Sequence, residues 1–240
     1  MNKKLMITTM AALAAAVAFA AGPTTSSGSR RRAPAASADG DEATTGSEAK
    51  ILIDQFPKLG RQSTLSAPSL QGGSIIGTAY TKPRKWIVLE AKYTTFSKWQ
   101  DQLTFTWHVL LDTKSATENK NNKDGLAPYS YFTTSVTYQN IPQGSHAASV
   151  CLHPSYLERF GEAKAIGLVI TNSKGEILQG DCESEVKGIA AHSKWWEDQK
   201  IMNAQTSAGD PMIERRQGLM DRSKTIWALV NPNDYEQVAQ

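Results

Sequence analysis

Between Leu103 and Leu111 apolar and polar residues alternate strictly, and this constrains the fold more than any other feature of the chain. Leu103, Phe105, Trp107, Val109 and Leu111 fall on one face, with Thr104, Thr106 and His108 on the other. A period of two, carried by aromatic and β-branched residues, marks a half-buried strand and not a helix. The preceding stretch repeats the pattern: Ile87, Leu89, Ala91 and Tyr93 face one way, Val88, Glu90 and Lys92 the other. Ser97 to Gln102 reads as a short connection between the two strands. Tyr129 to Ile141 reads as a third strand, Pro142-Gln143-Gly144 as a turn, and Ser145 to Leu152 as a fourth. Ala165 to Thr171 and Glu176 to Gly180 flank Asn172-Ser173-Lys174-Gly175, a good hairpin connection. Ile51 to Phe56 supplies an N-terminal strand. Seven closely spaced strands favour two packed antiparallel sheets, with a small closed barrel as the structural rival.

Helix signals are few. Pro154 to Gly161 reads as one helical turn ended by Gly161. His192 to Ile201 reads as a short helix capped by Ser193, with Trp196, Lys200 and Ile201 toward the body. Beyond it, short strands are expected around Met212–Met220 and Thr225–Val230.

The first residues have a separate logic. Lys3 and Lys4 precede an apolar run from Leu5 to Ala20 that closes on Ala18-Phe19-Ala20. A basic start, a short apolar core and a small-x-small site make a signal peptide, residues 1–20. The rival, a membrane anchor, needs a span of about 20 apolar residues. Residues 21–50 are rich in Ser, Ala, Thr, Gly and Pro and lack aromatics, so they form a flexible leader that cannot offset the entropy of ordering. Arg30-Arg31-Arg32 within it reads as a solvated charge cluster. Residues 51–240 form the folded domain. The formal charge of +3 includes the two signal-peptide lysines. A body this close to neutral does not suggest a nucleic-acid partner.

Cys151 and Cys182 are the only cysteines. In an oxidising compartment a disulfide between them is plausible, closing a loop of about 31 residues and contributing roughly 3–4 kcal/mol; two buried thiols are the alternative. The four histidines, His108, His146, His153 and His192, show no helical zinc spacing, and no metal or cofactor is expected. Ser184-Glu185-Val186-Lys187 matches a Ser-x-x-Lys pattern but lacks its companion motifs, and no Gly-x-Ser-x-Gly elbow exists. Without a nucleophile and base in a fixed relation no reaction class follows, so no catalytic residue is assigned. The loop from Glu118 to Gly125 lacks calcium-site spacing. Trp99, Trp195 and Trp196 are the candidate contacts for a ligand or partner. An exposed pair would stack on sugar rings; a buried pair would pin the helix to the sheets.

Several segments together resemble a known family. They are the signal peptide and leader, Thr104-Phe105-Thr106-Trp107-His108-Val109-Leu110-Leu111, the Ile170-to-Ile177 hairpin, Lys194-Trp195-Trp196-Glu197, and Leu219 to Thr225. The chain resembles exported immunoglobulin-like proteins of Verrucomicrobia, of the kind found in the Akkermansia type IV pilus gene cluster. The resemblance implies an all-β, immunoglobulin-like antiparallel β-sandwich with a short C-terminal helix, monomeric in isolation. It also implies a periplasmic or surface location and a part in pilus formation or extracellular contacts. Cys151 and Cys182 do not match the inter-sheet disulfide of antibody domains, and no Tyr lies two residues before either, so the likeness concerns architecture.

Three functions follow as expectations. The first is a non-enzymatic structural or assembly protein whose partners are other envelope or pilus proteins. It would dock them at an exposed sheet edge, with the hairpin Ile166–Gly180 as candidate. The second is a module for host glycans, with Trp99, Trp195, Trp196, Tyr129 or Tyr131 forming a coplanar aromatic pair. The third is a periplasmic hydrolase or metalloprotein, with His146 or His192 meeting carboxylates.

Overall fold

A computed structural model describes residues 50–60, 63–66, 84–113, 125–190, 193–228 and 236–238. The chain divides into two units, Met1–Ala43 and Thr44–Gln240, and every described residue lies in the second. The expected signal peptide and most of the leader, Arg30–Arg32 included, lie outside the described residues, as do Asn119, Asn121, Asn122 and Asp124 of the polar loop, His192 and Val230.

The period-two stretches become two very long strands. Strand β3 runs Lys85–Asp112 and β4 runs Tyr129–Leu152, paired antiparallel almost end to end. Ser97 to Gln102 is therefore not a separate connection, and Pro142-Gln143-Gly144 is not a reversing turn. Both segments are the corner at which one ribbon bends. The register shifts there, between Thr95 and Trp99 opposite Gly144 and Pro142. Asn140 (φ 55) and Gly144 (φ 139) take up left-handed backbone at the corner, which Asn tolerates and Gly adopts without penalty.

The bend brings the two halves of the ribbon face to face. Tyr93 and Phe105 lie on the same strand, which would hold them roughly 40 Å apart if straight at about 3.3 Å per residue. Their rings instead pack with centroids 4.8 Å apart. Odd-numbered residues of β3 point inward on both sides of the corner. Leu89, Ala91, Tyr93, Leu103, Phe105, Trp107, Val109 and Leu111 thus share one core with Phe132, Val136, Tyr138, Ile141, Val150 and Leu152. Burial of this face, at about 25 cal/mol per Å² of apolar surface, is the main force holding the layers together.

The other strands attach to the edges of this ribbon. Strands β1 (Ile51–Gln55) and β2 (Ser63–Ser66) pair with the first half of β3, and β5 (Glu162–Asn172) with its second half. Strand β6 (Ile177–Ser184) pairs with β5 through the expected hairpin. On the far side of β4 lie β7 (Ile213–Arg216), β8 (Leu219–Asp221) and β9 (Glu236–Val238). Among the described residues the sheet has nine strands, in the path β6-β5-β3-β4-β7 with the others off it. The all-β, sandwich-like expectation holds. One detail differs: β7 runs parallel to β4, so the sheet is mixed, not wholly antiparallel.

Helix α1 spans Pro154–Phe160 and ends at Gly161 (φ 81), as the sequence signals require. The second helix, α2, is shorter than expected, only Gln199–Met202, and its cap is Asp198, whose carboxylate accepts from the Lys200 amide at 2.8 Å. Ser193 does not cap it, because Trp195 to Glu197 form turns before the helix starts. Thr225–Ala228 is turn and not strand, set by the Ala228 amide donating to the Thr225 carbonyl at 3.1 Å.

Candidate functional site

The segment from Val186 to Ile213 crosses the outer face of the β3–β4–β5 layer and makes a second, smaller core. Trp195 and Met202 pack there with Leu110, Tyr131, Ala165, Ile189 and Ile213. Trp195 is 0% exposed, and its indole N–H has no hydrogen-bond partner among the described residues. Its contribution is packing. Trp196 is half-buried and lies flat on His108, with ring centroids 4.3 Å apart and planes 5° apart. It also covers Gly167, where a Cβ would meet Trp196 Cζ3 at 2.1 Å. Glycine at 167 is thus what lets the indole approach the sheet. Tyr131 is buried too, against Trp195 edge-on. Together Trp195 and Trp196 pin the segment, and they form no exposed coplanar pair for a sugar ring.

Trp99 has the opposite setting. It sits at the ribbon's corner, opposite Pro142, and is 58% exposed. Phe96 and Leu52 are also exposed near this corner, and the Lys50 ammonium lies 5.8 Å from the Phe96 ring centroid. The structure therefore does not bring the three candidate tryptophans together.

The two cysteines remain thiols. Cys151, on β4, pairs with Val88 and Met220, and Cys182, on β6, pairs with Gly167. Their neighbours in sequence, Val150, Leu152 and (through Asp181) Leu168, belong to the central core, so both cysteines point away from it, on opposite layers. Both are buried free thiols, the alternative to the expected Cys151–Cys182 bond. Burial pushes the Cys151 thiol up to about 11, keeping it protonated and unreactive. Cys182 Sγ donates to the Ser193 carbonyl at 2.9 Å, which ties the crossing segment to β6.

The three described histidines, His108, His146 and His153, make structural contacts. His108 Nδ1 lies 2.7 Å from the Tyr131 hydroxyl, and burial lowers its pKa to about 4, so the ring is neutral in the folded protein. His146 Nε2 lies 2.8 Å from the Pro142 carbonyl and 3.2 Å from Thr95 Oγ1, bracing the corner. His153 caps α1 through Nδ1, which accepts from the Ser155 amide at 3.1 Å. Among the described residues no group of His, Cys, Asp and Glu is arranged to hold a metal ion. Ser184 ends β6 and accepts from the Val186 amide at 3.1 Å. It does not share a helical turn with Lys187, as Ser-x-x-Lys chemistry requires.

The feature best suited to contact a partner is the outer side of β6. Of the two strands of the expected edge hairpin, β5 is interior, paired on both sides by β3 and β6, and β6 stands at one end of the sheet path, with β7 at the other. A groove of about 680 Å³ runs beside it. One wall is Asp181, Cys182, Glu183 and Ser184; the other is Asp54, Gln55, Phe56 and Lys58, at and beyond the end of β1. The Leu59 amide, next to Lys58, donates to Glu183 Oε2 at 3.1 Å and ties the two walls together. No sequence signal marks this site, because the two walls meet only through the bend of β3.

Comparison with known proteins gives three findings. A protein-family model matches residues 57–239. No curated protein sequence matches the chain significantly. A crystal structure of a protein from Akkermansia muciniphila aligns with a TM-score of 0.57 and 20% identity, covering 80% of this chain and 95% of that one; at this identity the likeness concerns the fold.

Proposed function

We propose that the chain, which belongs to the family whose model spans residues 57–239, is an exported, non-enzymatic protein of the cell envelope that works with the type IV pilus. The resemblance of the sequence segments to pilus-cluster proteins carries this reading, together with a fold shared with a protein from Akkermansia muciniphila. Its work is binding other envelope or pilus proteins, and its body is a monomeric immunoglobulin-like sandwich delivered by the signal peptide at residues 1–20. Three observations support it. His108, His146, His153 and Ser184 serve structural contacts and not a nucleophile–base relation. Among the described residues no helix is long and apolar enough to cross a membrane. The sheet ends in a strand with a groove beside it, which suits a protein that acts by docking. The test is deletion of the gene in its own host, with surface pili counted by electron microscopy. Loss or shortening of pili, restored by the wild-type chain, is expected. Normal piliation together with a new enzymatic deficit in the envelope would overturn the reading.

A further inference from the structure

At the ribbon's corner the usual distribution of residues is inverted. Thr95 and Gln100, both polar, are buried, whereas Phe96 and Trp99 between them are 47% and 58% exposed. On either side the order is normal, with Tyr93 and Leu103 fully buried. A lone exposed apolar residue is ordinary; a run that buries its polar members and shows its aromatic ones marks a surface for contact.

The inversion is braced from inside. Thr95 Oγ1 donates to the Pro142 carbonyl at 2.8 Å and accepts from the Gly144 amide at 3.2 Å, and His146 Nε2 lies 2.8 Å from the same carbonyl. These bonds fill the inner side of the corner, so the aromatic rings stand outward on a held backbone. Leu52, 46% exposed, pairs with Thr94, which places it diagonal to Phe96 on one face. The Lys50 ammonium lies 5.8 Å from the Phe96 ring centroid, and Lys98 is exposed in the segment between the two rings.

Shape and charge decide what covers this corner. The bend closes two inner faces on each other, so side chains that point outward at the corner stand on its convex side. A folded partner would need a matching hollow, whereas a layer of lipid headgroups yields to a convex tip. Residues 50–54 and 92–101 carry Lys50, Lys92 and Lys98 against Asp54 and Asp101, and residues 139–145 on the facing arm carry no charge. Asp54 is engaged within the fold, where its carboxylate accepts from Thr94 Oγ1 at 2.6 Å. Tryptophan favours the headgroup level of a bilayer, and lysine lays its stem on apolar surface while its ammonium meets phosphate. We propose that the corner seats the protein on an anionic lipid surface. Phe96, Trp99 and Leu52 enter the headgroup layer, and Lys50 and Lys98 meet its phosphates. This goes beyond the pilus role, since it gives the protein a lipid contact of its own.

The test is cosedimentation of the mature chain, residues 21–240, with vesicles of phosphatidylcholine alone and with about 30% phosphatidylglycerol. Binding to the anionic vesicles is expected to exceed binding to the neutral ones at least threefold. Phe96→Ser with Trp99→Ser, shown folded by circular dichroism, should weaken binding to the anionic vesicles at least tenfold. Lys50→Ser with Lys98→Ser should weaken that binding at least threefold and leave the neutral vesicles unaffected. Brominated acyl chains should quench tryptophan emission of the parent, and Trp99→Ser alone should abolish the quenching, because Trp107 and Trp195 are fully buried. Absence of vesicle binding would overturn the proposal. So would undiminished binding by the folded aromatic double variant, which would place the attraction in Arg30–Arg32 or in charge alone. A dimer or protein complex formed through Phe96 and Trp99 without vesicle binding would overturn it too. Vesicle binding with normal piliation on deletion would remove the pilus reading and leave this one; loss of pili without vesicle binding would do the reverse.

Discussion

Trp99 and Trp107 lie on the same strand, yet one is 58% exposed and the other fully buried. Between them the ribbon turns its corner. Before and after the corner, cross-strand pairing of β3 with β4 is continuous and every second residue enters the core. At the corner the register shifts and the side chains Phe96 and Trp99 are left facing out. The difference teaches that burial in this fold is set by position relative to the bend, and not by residue type. Stability lives in the ribbon's inner face, while the exposed side chains at the corner contribute little to it.

That contrast predicts a graded series of effects. The largest is expected from Trp107→Ala, which removes a fully buried ring from the centre of the core and should destabilise the protein by about 3–5 kcal/mol. Urea unfolding followed by far-ultraviolet circular dichroism checks it, and a loss below about 1 kcal/mol would mean the two halves do not share one core.

Next comes acid. His108 is held neutral in the folded protein at a pKa of about 4, against an ordinary 6.5. The unfolded chain therefore binds a proton that the folded one refuses. Stability from this residue is complete above about pH 6.5 and is lost as pH falls through 4, by up to roughly 3 kcal/mol, since each pKa unit is about 1.36 kcal/mol. His108→Gln should flatten this part of the stability–pH curve; an unchanged slope would show that other groups govern it.

Gly167→Val is expected to cost about 1–3 kcal/mol by forcing Trp196 off the sheet. A red shift in tryptophan emission would report the lifted indole, and pairing the change with Trp196→Ala should recover part of the loss. Trp99→Ser, at the corner, should stay within about 0.5 kcal/mol of the parent. If Trp99→Ser proved as damaging as Gly167→Val, the corner would be a packed site and the contrast would fail.

The same contrast explains what the sequence could and could not reveal. Alternation at Leu103–Leu111 and Ile87–Tyr93 located strands and their buried faces, because period two depends only on local geometry. The Asn172–Gly175 hairpin and the Gly161 stop were legible for the same reason. Pro142-Gln143-Gly144 signals a change of direction but does not say whether the chain reverses or arches, since both use the same residues. Here β4 stays paired with β3 through the arch, so four expected strands became two. The edge role of β6 and its groove were hidden for a further reason: strand order and the meeting of Asp54 with Asp181 are set by long-range topology. The cysteines misled because a spacing of residues carries no information on which layer each one faces.

The measurement that bears most directly on the central claim is capture of partners by the mature chain from its own envelope fraction, with proteins identified by mass spectrometry. The account predicts recovery of pilus components by the parent chain. Recovery of no envelope protein by the parent would contradict it.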